Sequence, residues 1–246
     1  MGRMVDSYSW GARAVPGIIV VLPAAVALFT VFPRFSSGVG GICSGTGITL
    51  AFLLLVSAMA RYFGHRVEPA LWARWGGPPT TRFLRWSDRT QTPQWKRLVH
   101  RKVFALTGIR LLGPREEPAR PKEADALITD ACGILTSRLR RDAGADLVAK
   151  ANMEYGFARN LMGCSGLWWR TSGISTGICL AARMTGIPRA TAGAVICALC
   201  FAVALFAGFV ALPALAKRSA DRYAHEFWSV IANKDVPRDG KDAANG

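Results

Sequence analysis

Ala190 to Ala216 reads ATAGAVICALCFAVALFAGFVALPALA, 27 residues without a charge between Arg189 and Lys217. A helix needs about 20 apolar residues to cross the hydrocarbon core of a bilayer, so this stretch is long enough to span one. Working outward from it, two more uncharged runs have the same character: Ala14 to Pro33 with 20 residues and Phe35 to Ala60 with 26. A fourth, Leu161 to Ala182 (LMGCSGLWWRTSGISTGICLAA), is interrupted only by Arg170. With 51% hydrophobic residues the chain has enough apolar material for a soluble core, but that material is gathered into these runs. The expected fold class is therefore an all-α membrane protein: two transmembrane helical hairpins, four spans in all, flanking a small basic α-rich cytoplasmic domain.

Charge orients the spans, because Lys and Arg near span ends are retained on the cytoplasmic side. The short turns carry Arg34, Arg183 and Arg189, three residues. Against them stand ten: Arg3 and Arg13, Arg61, Arg66 and Arg74, Lys150 and Arg159, and Lys217, Arg218 and Arg222. The imbalance predicts a cytoplasmic N-terminus (1–13), a hairpin over 14–60 with spans at about 14–33 and 39–60, a cytoplasmic basic helical domain over 61–163, a second hairpin over 164–216 with spans at about 164–183 and 190–213, and a cytoplasmic tail (217–246). The first span is expected to stay as an anchor, since its apolar core is longer than a signal peptide's and no A-x-A-like site follows it.

The region from Arg61 to about Gly163 holds 19 Lys or Arg and 10 Asp or Glu, hence 19 − 10 = +9, within a chain of net charge +15. Thr92-Pro93 is a helix start signal, with Thr capping and Pro at the first helical position. Trp95, Leu98, Val99, Lys102 and Leu106 then recur at helical spacing as far as Gly108. A second helix is expected from Pro121 to Arg141, with Ala124, Leu127, Ile128, Ala131, Leu135 and Leu139 on one face. The polar segment GPREEPARP (113–121) links the two, and a third helical pattern, Asp146 to Leu161, runs into the third span.

The densest composition is WARWGGPPTTRFLRWSDRT, Trp72 to Thr90. Tryptophan rings sit well at the headgroup level, which makes Trp72, Trp75 and Trp86, with Trp168 and Trp169 in the third span, candidates for a membrane-interface belt. Arg74, Arg82, Arg85 and Arg89 would then face anionic lipid, each worth roughly 1 kcal/mol near the surface. A sharper reading is an anion or nucleotide pocket, in which Gly76 and Gly77 admit backbone N–H groups to a phosphate while the arginines fork onto it; no Walker-type motif accompanies it. A third is packing of a loop within the molecule.

The run HRVEPALWARWGGPPTTRFLR (His65 to Arg85), the SDRT that follows and NMEYGFARNLMG (Asn152 to Gly163) resemble a family of uncharacterised bacterial multi-pass inner-membrane proteins, over most of residues 10 to 210. The resemblance implies a membrane architecture and a bacterial origin. It implies no activity and no catalytic residue.

Other chemistry is thin. Cys43, Cys164, Cys179, Cys197 and Cys200 lie in or at spans and Cys132 in a soluble helix, so the C-x-x-C at 197–200 reads as core packing. His65, His100 and His225 are far apart, with neither a metal-binding nor a catalytic context. No cofactor, metal, catalytic residue or nucleic-acid partner is expected. Gly41-x-x-x-Gly45 and Gly173-x-x-x-Gly177 allow close helix approach, within the bundle or between copies in a homo-oligomer. Pro16 and Pro23 are expected to bend the first span. Arg170, the intramembrane charge, either snorkels to the interface or serves a function inside the bundle.

Two classes of function follow. In the first the chain is a non-enzymatic integral-membrane protein whose basic domain binds anionic lipid, a nucleotide-like signal or a protein partner. In the second it is a transporter or pore-forming subunit that moves an anion past Arg170, although the spans lack acidic side chains and the hairpins do not repeat one another. An enzyme is third, for want of paired carboxylates or a nucleophile with its base.

Overall fold

The structure is a computed structural model that describes residues 12, 14–32, 46–139 and 146–234. Arg3, Arg13, Arg34 and its turn, the Gly41–Gly45 pair, Cys43, Arg140, Arg141 and the last residues of the expected tail lie outside them. All regular structure among the described residues is helical: α1 (Val15–Val31), α2 (Thr46–Trp75), α3 (Pro79–Leu84), α4 (Pro93–Thr107), α5 (Pro121–Leu139), α6 (Asp146–Met184), α7 (Ala190–Phe206), a π-helical segment (Ala207–Ala211) and α8 (Leu212–Asn233). The chain divides into two units, residues 1–71 with 153–219 and residues 72–152 with 220–246.

In the first unit two helices are long and apolar enough to cross a membrane, the one through α2 and the one from Ala190 onward, with best windows of mean hydropathy 1.2 and 2.8. Only 17% of each window is buried, whereas the core helix of a soluble protein turns most of its apolar side chains inward. Four spans were expected. α1 is apolar but only 17 residues long, and in α6 Arg170 and a series of glycines, serines and threonines dilute the apolar content.

Small residues set how closely these helices pack. Gly17 lies against Val56, and Gly163 against the backbone of Phe63, where an added Cβ would sit 2.4 Å from a carbonyl. Gly193 faces Thr30 and Cys179. Around these approaches are two apolar clusters, Val20, Ala60, Leu161, Cys164, Trp168, Ala204 and Leu212, and Ala27, Cys179, Ala194 and Cys197. Of the pair Gly173 and Gly177, the first lies against the Phe201 ring and the second in open space. Pro16 occupies the first turn of α1, where no intrahelical bond is lost; of the two prolines, only Pro23 removes one.

The second unit forms around α4, α5 and the end of α8. Helix α4 begins as the capping signal requires: the Thr92 side chain accepts the Trp95 N–H at 3.3 Å, Pro93 follows, and Gly108 closes the helix at φ 76°. Lys96, Val99, Val103 and Leu106 face inward, against Ala124, Ile128, Ala131, Leu135 and Leu139 of α5. The segment expected as a tail is helical to Asn233 and places Ala224, Phe227, Trp228 and Ile231 in this core. Trp228 is fully buried, and its Nε1–H donates to the Thr80 carbonyl at 2.9 Å.

The packing at Gly163 yields a paired test. Gly163→Ala drives a methyl group into the Phe63 backbone, which cannot rotate away, and is expected to cost about 1–3 kcal/mol. Gly166→Ala, where nothing lies within 4 Å, is expected to be neutral or to stabilise by up to about 1 kcal/mol, the difference in helix propensity. Thermal melting of the two variants in detergent measures both; equal melting temperatures would contradict the close approach.

Candidate functional site

The stretch Trp72 to Thr90 turns out to hold itself together. Gly76 and Gly77 take φ of 82° and 131°, a reversal in the left-handed region that glycine enters without strain, and the Gly77 N–H donates to the Trp72 carbonyl at 2.7 Å. The turn delivers the six-residue α3, too short to stand alone, and side chains fasten it from both ends. Arg85 forks onto Asp125, Nε to Oδ1 at 2.6 Å and Nη2 to Oδ2 at 2.7 Å, and its remaining nitrogen donates to the Gly76 carbonyl. Arg82 Nη2 meets Asp221 at 2.5 Å and Arg82 Nε lies 3.5 Å from Asp88.

The residues after α3 are held just as firmly. The buried Glu117 carboxylate accepts the backbone N–H groups of Trp86 at 2.9 Å and Ser87 at 3.2 Å. Trp86 Nε1–H donates to the Leu112 carbonyl at 2.9 Å, and its ring lies 5.0 Å from that of His100. Lys96, buried on α4, donates to the carbonyls of Arg85 and Asp88. Burial holds the Lys96 ammonium below its ordinary pKa, against the opposing pull of Asp88 and Glu117. Burial likewise lowers the pKa of His100, whose hydrogen bond to Leu84 acts the other way, and pushes the Cys132 thiol up to about 12.

The arginines grouped by sequence into one anion or lipid site are therefore divided. Arg82 and Arg85 hold carboxylates of their own fold; Arg74 and Arg89 are exposed. Gly76 and Gly77 serve the turn, with the Arg85 guanidinium packed against Gly77. Of the tryptophans, Trp72, Trp75 and Trp86 are half-buried. Trp168 is a core residue of the first unit. Trp169 is half-buried and carries the Arg170 guanidinium 5.0 Å above its ring. Arg170 is exposed.

A second constellation, in the first unit, joins the two motif segments. Glu68, from HRVEP on α2, is 9% exposed. Its Oε1 accepts the Tyr155 hydroxyl at 2.9 Å and Arg159 Nη1 at 2.9 Å, both from YGFARN on α6, and its Oε2 lies 3.1 Å from His65 Nδ1. Arg159 also stacks over the Tyr155 ring at 5.6 Å and donates to Asn160 Oδ1. Asn160 Nδ2 donates to the Ala12 carbonyl at 2.7 Å, and Gly64 leaves the room that Asn160 fills. In sequence Arg159 reads only as one more orienting cation and Glu68 draws no notice. The signal was present in the HRVEP and YGFARN motifs, but only the pairing of α2 with α6 says that they meet.

Chemically this is a satisfied carboxylate: Glu68 is paired on both oxygens, and the network contains no nucleophile beside a base. Among the described residues no cluster of His, Cys, Asp and Glu could hold a metal ion.

Removing one partner of a buried charged pair costs about 3–5 kcal/mol, because it strands the other, whereas replacing both by apolar residues is often neutral. Glu68→Leu and Arg159→Leu are each expected to lower the melting temperature, and the double variant is expected to recover most of the loss; additive losses would show the two side chains to be independent.

Stability should also depend on pH through His100. Its folded pKa lies below the ordinary 6.5, so on acidification the unfolded chain takes up a proton that the folded chain refuses. The stabilising contribution is present above about pH 6.5 and is lost as pH falls from there through the folded pKa. Glu116, whose carboxyl is lowered from 4.5 first by the Gly113 N–H, acts in a more acidic window. Melting between pH 8 and 5.5 should show a slope that His100→Phe flattens, and an unchanged slope would assign it to another group.

Compared with family models, with curated proteins and with solved structures, the chain matches none.

Proposed function

We propose that the chain is a non-enzymatic, multi-pass protein of the bacterial inner membrane whose basic central region binds an anionic partner at the cytoplasmic face. In this reading α1, the apolar part of α2, the Arg170-bearing part of α6 and the helix from Ala190 are four spans, with both termini cytoplasmic. The observation that carries it is the outward apolar surface of the first unit. Leu54 is 62% exposed, Ile174 65%, Leu199 62%, Phe206 64% and Phe209 76%. Apolar side chains exposed in such number along neighbouring helices need a cover other than water, and lipid tails supply one. Ile174 extends this character to α6, which supports counting it among the spans despite Arg170. The exposed Arg170, lying over the half-buried Trp169 ring, favours an arginine at the membrane surface over one lining an anion path.

The anionic partner of this reading is lipid, a nucleotide-like signal or an acidic protein surface; lipid is the one always present at a membrane. Reporter fusions active only in the periplasm are expected to report at residues 34–37 and 184–188 and to stay silent after Gly246, and a periplasmic C-terminus would overturn the topology. The purified full chain is expected to melt at a higher temperature with phosphatidylglycerol than with phosphatidylcholine, by a margin that salt erodes. Equal melting with both lipids would remove lipid as the partner.

A further inference from the structure

Between Asp88 and Glu116 the sequence has no acidic residue and seven Lys or Arg, and α4 lies in the middle of that stretch. One face of the helix is committed to the core through Lys96, Val99, Val103 and Leu106. On the other, Arg97, Arg101 and Phe104 are exposed, at a spacing of four and then three residues that sets them within about 60° of arc on a helix of 3.6 residues per turn. Phe104 is 56% exposed. Arg82 and Arg85 have their counter-charges within the second unit, but no described carboxylate pairs with Arg97 or Arg101.

We infer that this outer face of α4, Arg97 and Arg101 beside Phe104, docks on the anionic headgroups of a bilayer. The inference rests on the membrane reading above and deepens it by naming the surface and the partner. Charge complementarity gives the sign: two uncompensated guanidinium groups in an acid-free stretch match phosphates, onto which arginine forks with two hydrogen bonds. The exposed ring that follows them on the same face selects a bilayer over a nucleic acid or an acidic peptide, because a phenylalanine one turn beyond a pair of arginines can enter the boundary between headgroups and acyl chains while the cations stay at the phosphates. The same side chains are unsuited to holding the fold together, being absent from the core of the second unit.

The test uses the full chain in nanodiscs with Ala105→Cys, an exposed α4 position that leaves Phe104 in place, labelled by a membrane-impermeant maleimide; the unsubstituted chain supplies the background. Labelling is expected to be about tenfold slower in nanodiscs containing phosphatidylglycerol than in phosphatidylcholine alone, and to return to the faster rate in high salt. Arg97→Gln with Arg101→Gln should abolish the slowing, and Phe104→Ala should reduce it. These residues are exposed, so the fold should tolerate all three changes. Thr90→Cys, beside Arg89, is the second probe. If Ala105→Cys reacts equally in both lipids while Thr90→Cys is slowed by the anionic one, the α4 surface is wrong and anionic-lipid binding stands. If neither is slowed, both fall. Slowing that survives loss of Arg97 and Arg101, or protection of Ala105→Cys by an added oligonucleotide or acidic peptide but not by phosphatidylglycerol, also overturns the proposal.

Discussion

A charge taken out of water must meet its counter-charge or a set of hydrogen-bond donors inside the protein, because leaving it alone costs several kcal/mol. Much of the tertiary organisation described here follows from that constraint. Glu117 is buried only because two backbone N–H groups reach it, and Lys96 only because two carbonyls do. Together they fix the backbone from Arg85 to Asp88, which has no regular structure of its own. Arg85 on Asp125 and Arg82 on Asp221 then tie α3, six residues long, to helices distant in sequence. Trp228 completes the arrangement by donating to Thr80.

The same constraint governs the first unit, where apolar helices leave little else to specify which face meets which. Glu68 and Arg159 are nearly as buried as their neighbours, and their pairing is satisfied in one register of α2 against α6. Glycine does the complementary steric work: Gly64 and Gly163 bring the backbones close enough for Asn160 and Phe63 to lie where they do. Polar pairing and small-residue packing thus determine a geometry that lipid-like apolar surface alone would leave undetermined.

The basic residues sort by the same logic. A surplus of positive charge is a property of the whole chain, but the residues that can act on a partner are those left over after internal carboxylates have been matched. Arg82 and Arg85 are used inside; Arg97 and Arg101 remain outside, on a helix whose opposite face is anchored. Clustering in sequence therefore identified a region rich in arginine without identifying which arginines are available.

The helical class, the bounds of α4 and the inward face of α5 were legible in the sequence, because capping by Thr92, termination at Gly108 and 3.6-residue periodicity are local properties. The apolar run from Ala190 was legible for the same reason: length and hydropathy need no neighbours. Less of the candidate sites could be read. Gly76 and Gly77 read in sequence as positions for close approach, and what lies against Gly77 is the Arg85 guanidinium; Trp168 reads as one of an interfacial belt, and that its ring packs in the core of the first unit is a matter of its neighbours. The C-terminal segment past Lys217 reads as a charged tail, and Trp228 belongs to a core only once α4 and α5 are there to receive it. Glu68 and Arg159 are about 90 residues apart, as are many unrelated pairs in this chain. Which charges neutralise one another is set by distance in space and by the absence of water between them, and the tertiary structure alone decides both.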